Sequence, residues 1–494
     1  MALRRSACFL CIGLLAALAD AASARAAPVL VLGRDGHVSV HRDPLGPATA
    51  LRGSTRAPRT VATVSARRKT VIGELKRLLA AGAIDLPTYQ ARRASYEDTK
   101  RVVRKLSGRR RVELGAVVST LEGIAARGAL TASRVGPLWM TLERNRRWWT
   151  TGPLPAYGQR VGLEGSELVW QYYPGQGIQL QALANFGKLN GLWQGKIYDD
   201  RLGQMLDELL AISVERGGGR AWEYYFTFDG GRPPWVSSLA QGTALQALAR
   251  AAIRLGRQQE VWPVAAAGLA MFQQPPPTGV RVPSPSGTGT HYLQYSYDRR
   301  LYILNGFVQS LNGLSDYAGL ANDPTALTLF QEGVAAARGE VPTFDTGAWS
   351  LYSRGDDTHE SDLGYHKLLR DFMKGLCNRT KDAVFCGAEA NYDRYLVEKP
   401  RLAVVSKRIR GGQAGALKFT LSKISRVGVR VTKADGTPLL VRQVGVFGYG
   451  RRSIAWTPPR HSCACTVTLT AVDLAGNSGS AAGPIEVLRA RKKR

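Results

Sequence analysis

Between His291 and His366 the chain concentrates tyrosine, arginine and histidine, residue types that hold anions and move protons. Two tyrosines stand beside a basic group: Tyr352 two positions before Arg354, and Tyr365 next to His366. A free phenol has a pKa near ~10 and is a poor base until a nearby cation favours the phenolate. In a strand or turn, Arg354 would be aimed at the same ligand carboxylate as Tyr352. The plainer alternative is packing: tyrosines near a helix end are commonly half-buried, with a satisfied hydroxyl. A tyrosine-crowded loop, His291 to Tyr297, precedes the run Tyr302-Ile303-Leu304-Asn305-Gly306-Phe307, which leads into an apolar-periodic stretch ending near Tyr317. Polar, titratable rings thus come just ahead of a buried helix, a layout suited to binding or proton transfer. The chain has no G-x-S-x-G elbow, phosphate loop or H-E-x-x-H helix.

The elements that must position these residues are mostly helices. Leu75, Leu78, Leu79 and Ala83 make one helical face from Val71, and further helical segments are expected at about Ala94 to Leu106 and Val112 to Arg127. After Trp148 and Trp149, a Pro-Gly turn at Tyr172 to Gly177 leads into a helical run, and another helix starts near Asp200. The aromatic alternation from Trp222 to Asp229 predicts a strand or hairpin. A helix after Trp235 carries an apolar stripe of Leu245, Leu248, Ala252 and Leu255. Helices are also expected at about Val261 to Phe272, Ile303 to Leu320 and Pro324 to Ala337. Such helices must stack, as a bundle, a solenoid or a closed ring of pairs; the lack of a strict repeat argues against a solenoid. The last ninety or so residues change to short β-rich runs at Ala403 to Val405, Leu417 to Leu421, Val427 to Thr432, Leu439 to Val444 and Thr466 to Val472. Turns such as Asp435-Gly436 separate them, predicting a small β-sandwich. Asp473-Leu474-Ala475-Gly476-Asn477 resembles the late-strand turn of bacterial Ig-like modules. The expected boundaries are 1–26, 27–67 (a linker or loose strand segment), 68–147 (basic and helical), 148–397 (the main helical domain), 398–488 (the sandwich) and a basic tail at 489–494.

The first of these segments predicts export. Arg4 and Arg5 precede a short apolar core from Cys8 to Leu18 and an A-x-A site at Ala24-Arg25-Ala26. That apolar run is too short to span a bilayer comfortably, and no later stretch is long enough, so no stable membrane insertion is expected. A secreted or cell-surface location makes Cys377 and Cys386, which bracket a polar loop, the expected disulfide. Cys463 and Cys465 flank only Ala464, and their pairing is left open; with no matching histidine or second close pair, no metal site is expected. The formal charge of +29, from 67 Lys and Arg against 38 Asp and Glu, draws in polyanions. No nucleic-acid-binding signature is present, and export makes an acidic polysaccharide the natural partner. The runs Arg109-Arg110-Arg111 and Arg144 to Arg147 are expected to be solvated surface. A homodimer is left open.

The segment from Tyr292 to Phe307 resembles the C-terminal catalytic domain of D-glucuronyl C5-epimerases, which modify heparan-type polysaccharides. The matching pieces are Ala240-Gln241-Gly242, Leu304-Asn305-Gly306-Phe307 with Leu311, Gly313 and Leu314, then Asp345-Thr346-Gly347, Tyr352 and Tyr365-His366. Their order and spacing agree over about 170 to 375. The resemblance implies a mainly α fold, an (α/α) toroid of stacked helix pairs, ahead of the all-β sandwich. It implies a cofactor-free reaction at C5 of a uronic acid. A base takes the C5 proton beside the carboxylate, an enediolate-like carbanion forms, and an acid on the other face returns a proton. By motif position Tyr352 and Tyr365 would be the catalytic tyrosines, and Tyr295, Gln294, Arg354, Asn305 and His366 would bind substrate, with Arg354 one place from the expected arginine. Counting back from Asn305, Gln294 fills the position of the family's catalytic glutamate, and an amide cannot take up a proton at useful pH. A tyrosine pair alone, another acid such as Asp298, or a site that only binds would each answer that departure. The expected function is therefore a secreted uronate C5-epimerase, with an anionic-glycan binder or a uronan lyase as alternatives.

Overall fold

The computed structural model describes residues 28–42 and 69–490. The expected export signal lies outside the described residues, as do the end of the basic tail and much of the segment between residues 27 and 67. The chain forms two compact units interleaved in sequence. The first takes residues to Val280 with 295–297 and 316–326; the second takes 281–294, 298–315 and everything from Leu327.

The first unit opens with strands β1 (Pro28–Leu32) and β2 (Val38–Arg42) and helices α1 (Val71–Ala80), α2 (Leu86–Lys105), α3 (Gly108–Ala126) and α4 (Ala132–Thr151). Helix starts follow local chemistry: Thr70 Oγ1 accepts from the Gly73 N–H, and Asp85 Oδ1 accepts from the Thr88 N–H. Each such cap is worth about 1 kcal/mol. The Asp85 cap with a proline in the first turn starts α2 at Leu86, earlier than its apolar pattern suggests. Leu75, Leu78, Val117, Leu121, Ile124, Leu138 and Leu142 pack into one core beneath these helices.

Strands β3 (Arg160–Leu163), β4 (Trp170–Tyr173) and β5 (Gly177–Leu180) complete a five-stranded sheet in the order β2-β1-β3-β4-β5. The Tyr172 to Gly177 turn is a β-hairpin, so the helix expected after it, α5 (Ala182–Gly195), begins only once β5 has ended. Next come α6 (Asp199–Ala211), the hairpin β6 (Val214–Arg216) and β7 (Gly219–Ala221), and helices α7 (Ser238–Leu255), α8 (Gln258–Gly268) and α9 (Ala270–Gln273). Two expectations are adjusted here. Trp222 to Asp229 forms no regular strand, but it is one arm of an irregular hairpin, whose isolated antiparallel bridges from Tyr224 to Trp235 and from Phe228 to Gly231 keep one register. Its alternation reflects ring packing, with Trp235 stacked on Tyr224 at 4.1 Å. Helix α7 is not striped but buried on nearly every side from Ser238 to Ala252, and its small residues allow that enclosure. Within it Gln241 exchanges hydrogen bonds with the Trp222 backbone, satisfying a buried amide.

The arginine runs also depart from expectation. Arg109 donates to the Tyr172 hydroxyl and the Pro155 carbonyl, and Arg110 to the carbonyls of Trp149 and Gly152. Arg144 lies over the Trp170 ring, and burial pulls its pKa down to about 10. Arg146 pairs with Asp98, and Arg147 reaches the Gly33 carbonyl. These side chains tie loops to helices rather than forming a free cationic face.

The second unit contains β8 (Arg281–Pro283), β9 (Thr290–Tyr292), β10 (Leu301–Ile303), α10 (Leu304–Ala321), α11 (Pro324–Glu340), β11 (Leu351–Gly355), β12 (His359–Glu360), α12 (Leu363–Thr380) and α13 (Ala383–Tyr395). The parts of α10 and α11 between Asp316 and Ala326 belong to the first unit. A disulfide joins Cys377 of α12 to Cys386 of α13, as expected, and a second links Cys463 to Cys465. The chain then becomes all-β: β13 (Leu402–Val404), β14 (Arg408–Arg410), β15 (Gly415–Leu421), β16 (Ser425–Lys433), β17 (Pro438–Phe447), β18 (Gly450–Trp456), β19 (Cys463–Asp473) and β20 (Ser478–Leu488). They form two sheets, β13-β15-β18 and β14-β20-β19-β16-β17. Alternate residues such as Leu417, Phe419, Val427, Val429, Val467 and Leu469 make the core between them.

Candidate active site

Tyr352 and Tyr365 come from two different elements and meet. Strand β11 is paired on one side with β10, Ile303 opposite Ser353 and Tyr302 opposite Arg354. Leu351 and Ser353 are buried, while Tyr352 and Arg354 alternate with them and are half-buried. On its other side β11 pairs with β12, and the register slips between Leu351 and Ser353, at Tyr352. Such an irregularity bends the strand and re-aims one side chain. Tyr365 sits in the first turn of α12, where Asp362 Oδ1 accepts its backbone N–H at 2.8 Å. The two ring centroids lie 4.6 Å apart with planes at 52°.

The structure adds a residue that sequence reasoning did not single out. His359 of β12 lies with its ring 5.2 Å from that of Tyr352, and its Nδ1 is 3.1 Å from Ser353 Oγ and 3.2 Å from Asp357 Oδ2. About half of its side chain is exposed (49%). The turn that returns His359 onto β11 starts at Gly355, whose φ is +103° and where a Cβ would stand 1.8 Å from the Arg300 carbonyl oxygen. Gly355-Asp356-Asp357 was the available signal: a glycine and two polar turn formers after a strand-like run.

The other expected site residues are placed differently. Arg354 Nη1 donates to the Thr343 carbonyl at 3.2 Å, and its guanidinium lies 5.9 Å from the Phe344 ring centre. His366 is fully buried and stacks flat on Trp349 at 3.6 Å. Its Nε2 donates to the Tyr392 carbonyl at 2.9 Å, while Nδ1 accepts from the Ser350 hydroxyl at 2.7 Å. Burial, reinforced by the Lys423 and Arg370 charges, pulls its pKa down to about 4, so it stays neutral. Both nitrogens of His366 thus serve the protein interior.

Gln294 and Asn305 are both buried, at 2% and 3% exposure. Asn305 and Gly306 open α10, and Gly306 makes room for Gln294: a Cβ there would lie 2.3 Å from Gln294 Oε1 and 3.1 Å from its Cβ. Asn305 Oδ1 is buried with no hydrogen-bond partner among the described residues. Since Ile303 faces Ser353 across the β10–β11 ladder, the start of α10 adjoins the tyrosine strand. Tyr295 belongs to the first unit, in an aromatic cluster: it stacks on Tyr297 at 5.3 Å and stands edge-on to Trp235 at 5.8 Å. Burial and then the Glu340 carboxylate raise the Tyr302 pKa. In the second unit His291, fully buried, holds Glu340 through Nδ1 at 2.7 Å and packs on Phe307 at 4.1 Å. Among the described residues no three His, Cys, Asp or Glu side chains converge on a common metal position.

Comparison with known proteins falls on the same stretch. Residues 217–394 match the profile of the D-glucuronyl C5-epimerase C-terminus, and every motif quoted above lies within them. An uncharacterized protein of Methanocaldococcus jannaschii is 29% identical over 94 residues, 19% of this chain and 30% of that protein, so the chain spans about a third of that relative. The structure of cellobiose 2-epimerase from Bacillus thermoamylovorans B4167 aligns with a TM-score of 0.35 at 10% identity, over 57% of this chain and 74% of that one. The tyrosine pair therefore stands in a segment, residues 217–394, that is similar to the D-glucuronyl C5-epimerase C-terminus.

Proposed function

We propose that the protein is a secreted uronate C5-epimerase that inverts C5 of glucuronic-type residues in an acidic polysaccharide. The observation that carries this is the Tyr352–Tyr365 pair, two half-buried phenols from a bulged strand and a helix start inside the family-matched segment. A tyrosinate removes the C5 proton, the electron pair delocalises into the adjacent carboxylate, and a second acid protonates C5 from the opposite face. With ring centroids 4.6 Å apart, no sugar ring fits between the two rings, so C5 would meet their hydroxyl ends. His359 packs beside Tyr352 and is held through Nδ1 by Ser353 and Asp357. Arg354 spends one of its five donors on Thr343, and on the same strand face it is the cation for the uronate carboxylate. Two disulfides suit an oxidising compartment and so support export.

Gln294 favours a second reading, a non-catalytic binder of anionic glycan, because a buried amide stands where the family has its glutamate. Deuterium uptake at C5 from heavy water into glucuronate polymers separates the readings. An epimerase incorporates deuterium, and Tyr352→Phe or Tyr365→Phe each lower the rate by ~10²-fold or more. A binder incorporates none on any uronan while still holding the polymer. An unsaturated product absorbing in the ultraviolet would make the reaction a lyase and overturn the epimerase reading.

A further inference from the structure

Charge is unevenly spread along this chain. Between Lys399 and Arg494 there are 19 Lys and Arg against three acids, so this stretch carries +16 of the total +29. Those three acids are already engaged. Asp473 is buried against Lys423, Glu486 meets Arg408 at 2.9 Å, and Asp435 accepts the Thr437 N–H in a turn. From Lys399 to Ala434 no acid occurs.

Part of this charge gathers in a groove. On β15 and β18, Leu417, Phe419, Leu421, Ile454 and Trp456 point inward, which leaves Lys418, Thr420, Arg451 and Ser453 on the outer face. Lys418 pairs with Ser453 and Thr420 with Arg451, so the two cations are diagonal neighbours about 7–8 Å apart. An open cavity of about 660 Å³ lies here, lined by Val405, Lys418, Phe419, Phe447, Arg451, Arg452 and Ser453, with no carboxylate in its wall. Arg452 is held by the Gly448 carbonyl. The acid it acts on, Glu360, is occupied by the backbone N–H groups of Ile424 and Tyr449.

We propose that this groove is a second binding site, for a carboxylate-bearing sugar of an acidic polysaccharide, built from no residue of the tyrosine cluster. The cations take the carboxylate, and the Ser453 hydroxyl suits a sugar hydroxyl. Held on one chain with the tyrosine cluster, it raises the local concentration of polymer. The choice of polysaccharide rests on the epimerase reading and on what the groove lacks. Of its two aromatic residues Phe419 is buried at 1% exposure, and Phe447, half-buried, stands edge-on to it at 5.5 Å, so there is no pair of open ring faces for successive bases. The outward positions of β15 and β18 carry Ala, Ser, Thr and cations, and Val405 is the one exposed aliphatic side chain in the lining, too little for the apolar wedge that enters a lipid surface.

The test uses the full chain, a fluorescent glucuronate–N-acetylglucosamine polymer, a single-stranded oligonucleotide and phosphatidylserine vesicles. Lys418→Glu with Arg451→Glu should weaken polymer binding by ~10-fold or more and flatten its salt dependence. Arg426→Glu with Arg430→Glu, an equal charge change on the other sheet, should cost less than ~3-fold by screened long-range attraction alone. The milder Lys418→Gln with Arg451→Gln should weaken binding in the same direction and guards against misfolding. The groove is overturned if its variants bind like the unaltered protein, if the control pair loses as much, or if oligonucleotide or vesicles are held more tightly than polymer. Deuterium exchange on a short glucuronate oligosaccharide should be unchanged in the groove variants. If the unaltered protein shows no exchange while polymer binding still depends on Lys418 and Arg451, the epimerase reading falls and the groove stands.

Discussion

Replacing Lys423 by methionine should be among the most costly single changes in the second unit. Its ammonium is 1% exposed and uses all three donors: Asp473 Oδ2 at 2.6 Å, the Tyr395 carbonyl at 2.8 Å and the Glu398 carbonyl. It also lies 5.4 Å from the centre of the Trp349 ring. Methionine fills most of the volume, so the loss is electrostatic. The Asp473 carboxylate, itself 1% exposed, stays buried with its counter-charge gone and only N–H donors from Ala475 and Asn477. Breaking a buried pair from one side costs about 3–5 kcal/mol. At 1.4 kcal/mol per tenfold, a loss of ~4 kcal/mol lowers the folded-to-unfolded ratio about 10³-fold. Urea unfolding followed by tryptophan fluorescence reads this, because Trp349 lies under the ammonium. The double variant Lys423→Met with Asp473→Asn, which removes the stranded charge, should regain more than ~1 kcal/mol of the loss. A single variant costing under ~1 kcal/mol, or a double variant no better than the single one, would refute the reasoning.

Two further outcomes are expected. Gly306→Ala should cost about 1–3 kcal/mol, since its Cβ overlaps a Gln294 side chain with 2% exposure and no room to swing away; an unchanged urea midpoint would show that the start of α10 yields freely. His366 should make the second unit acid-sensitive. Folded, it takes a proton near pH 4 against an ordinary 6.5, so between these values the unfolded chain binds more protons and stability rises with pH. The contribution is fully present above pH 6.5 and up to ~3 kcal/mol is lost as pH falls towards 4. Unfolding of His366→Gln should be flatter across that window, and an acid dependence equal to that of the unaltered chain would remove His366 as the cause.

Much of the candidate site was legible because motifs keep their order along a chain. The Tyr302 to Phe307 run located Gln294, and the structure gives that spacing a physical basis in the contact between Gly306 and Gln294. Secondary structure was legible where periodicity is strong, as in α10, α11, β15 and β16. Strands β14, β18 and β20 escaped notice because their outward residues are charged or small and blur the alternation. Arg110 and Arg144 read as solvated charge because no local pattern shows that a guanidinium will find a carbonyl or an indole far along the chain.

By itself the sequence determined the main helices ahead of the β-rich C-terminal part, the similarity of residues 217–394 to the D-glucuronyl C5-epimerase C-terminus and the concentration of charge after Lys399. These properties are local or additive, so composition, period and motif order carry them. Only the tertiary structure decided that Tyr352 meets Tyr365 and His359 while the neighbouring His366 turns inward to Trp349. That outcome depends on a slipped register in β11 and on the tight turn at Gly355, and ladder pairing sets both between segments that are not contiguous. Residues next to one another in the chain, such as Tyr365 and His366, point to different sides of a helix, and packing alone decides which side stays half-exposed and which enters the core.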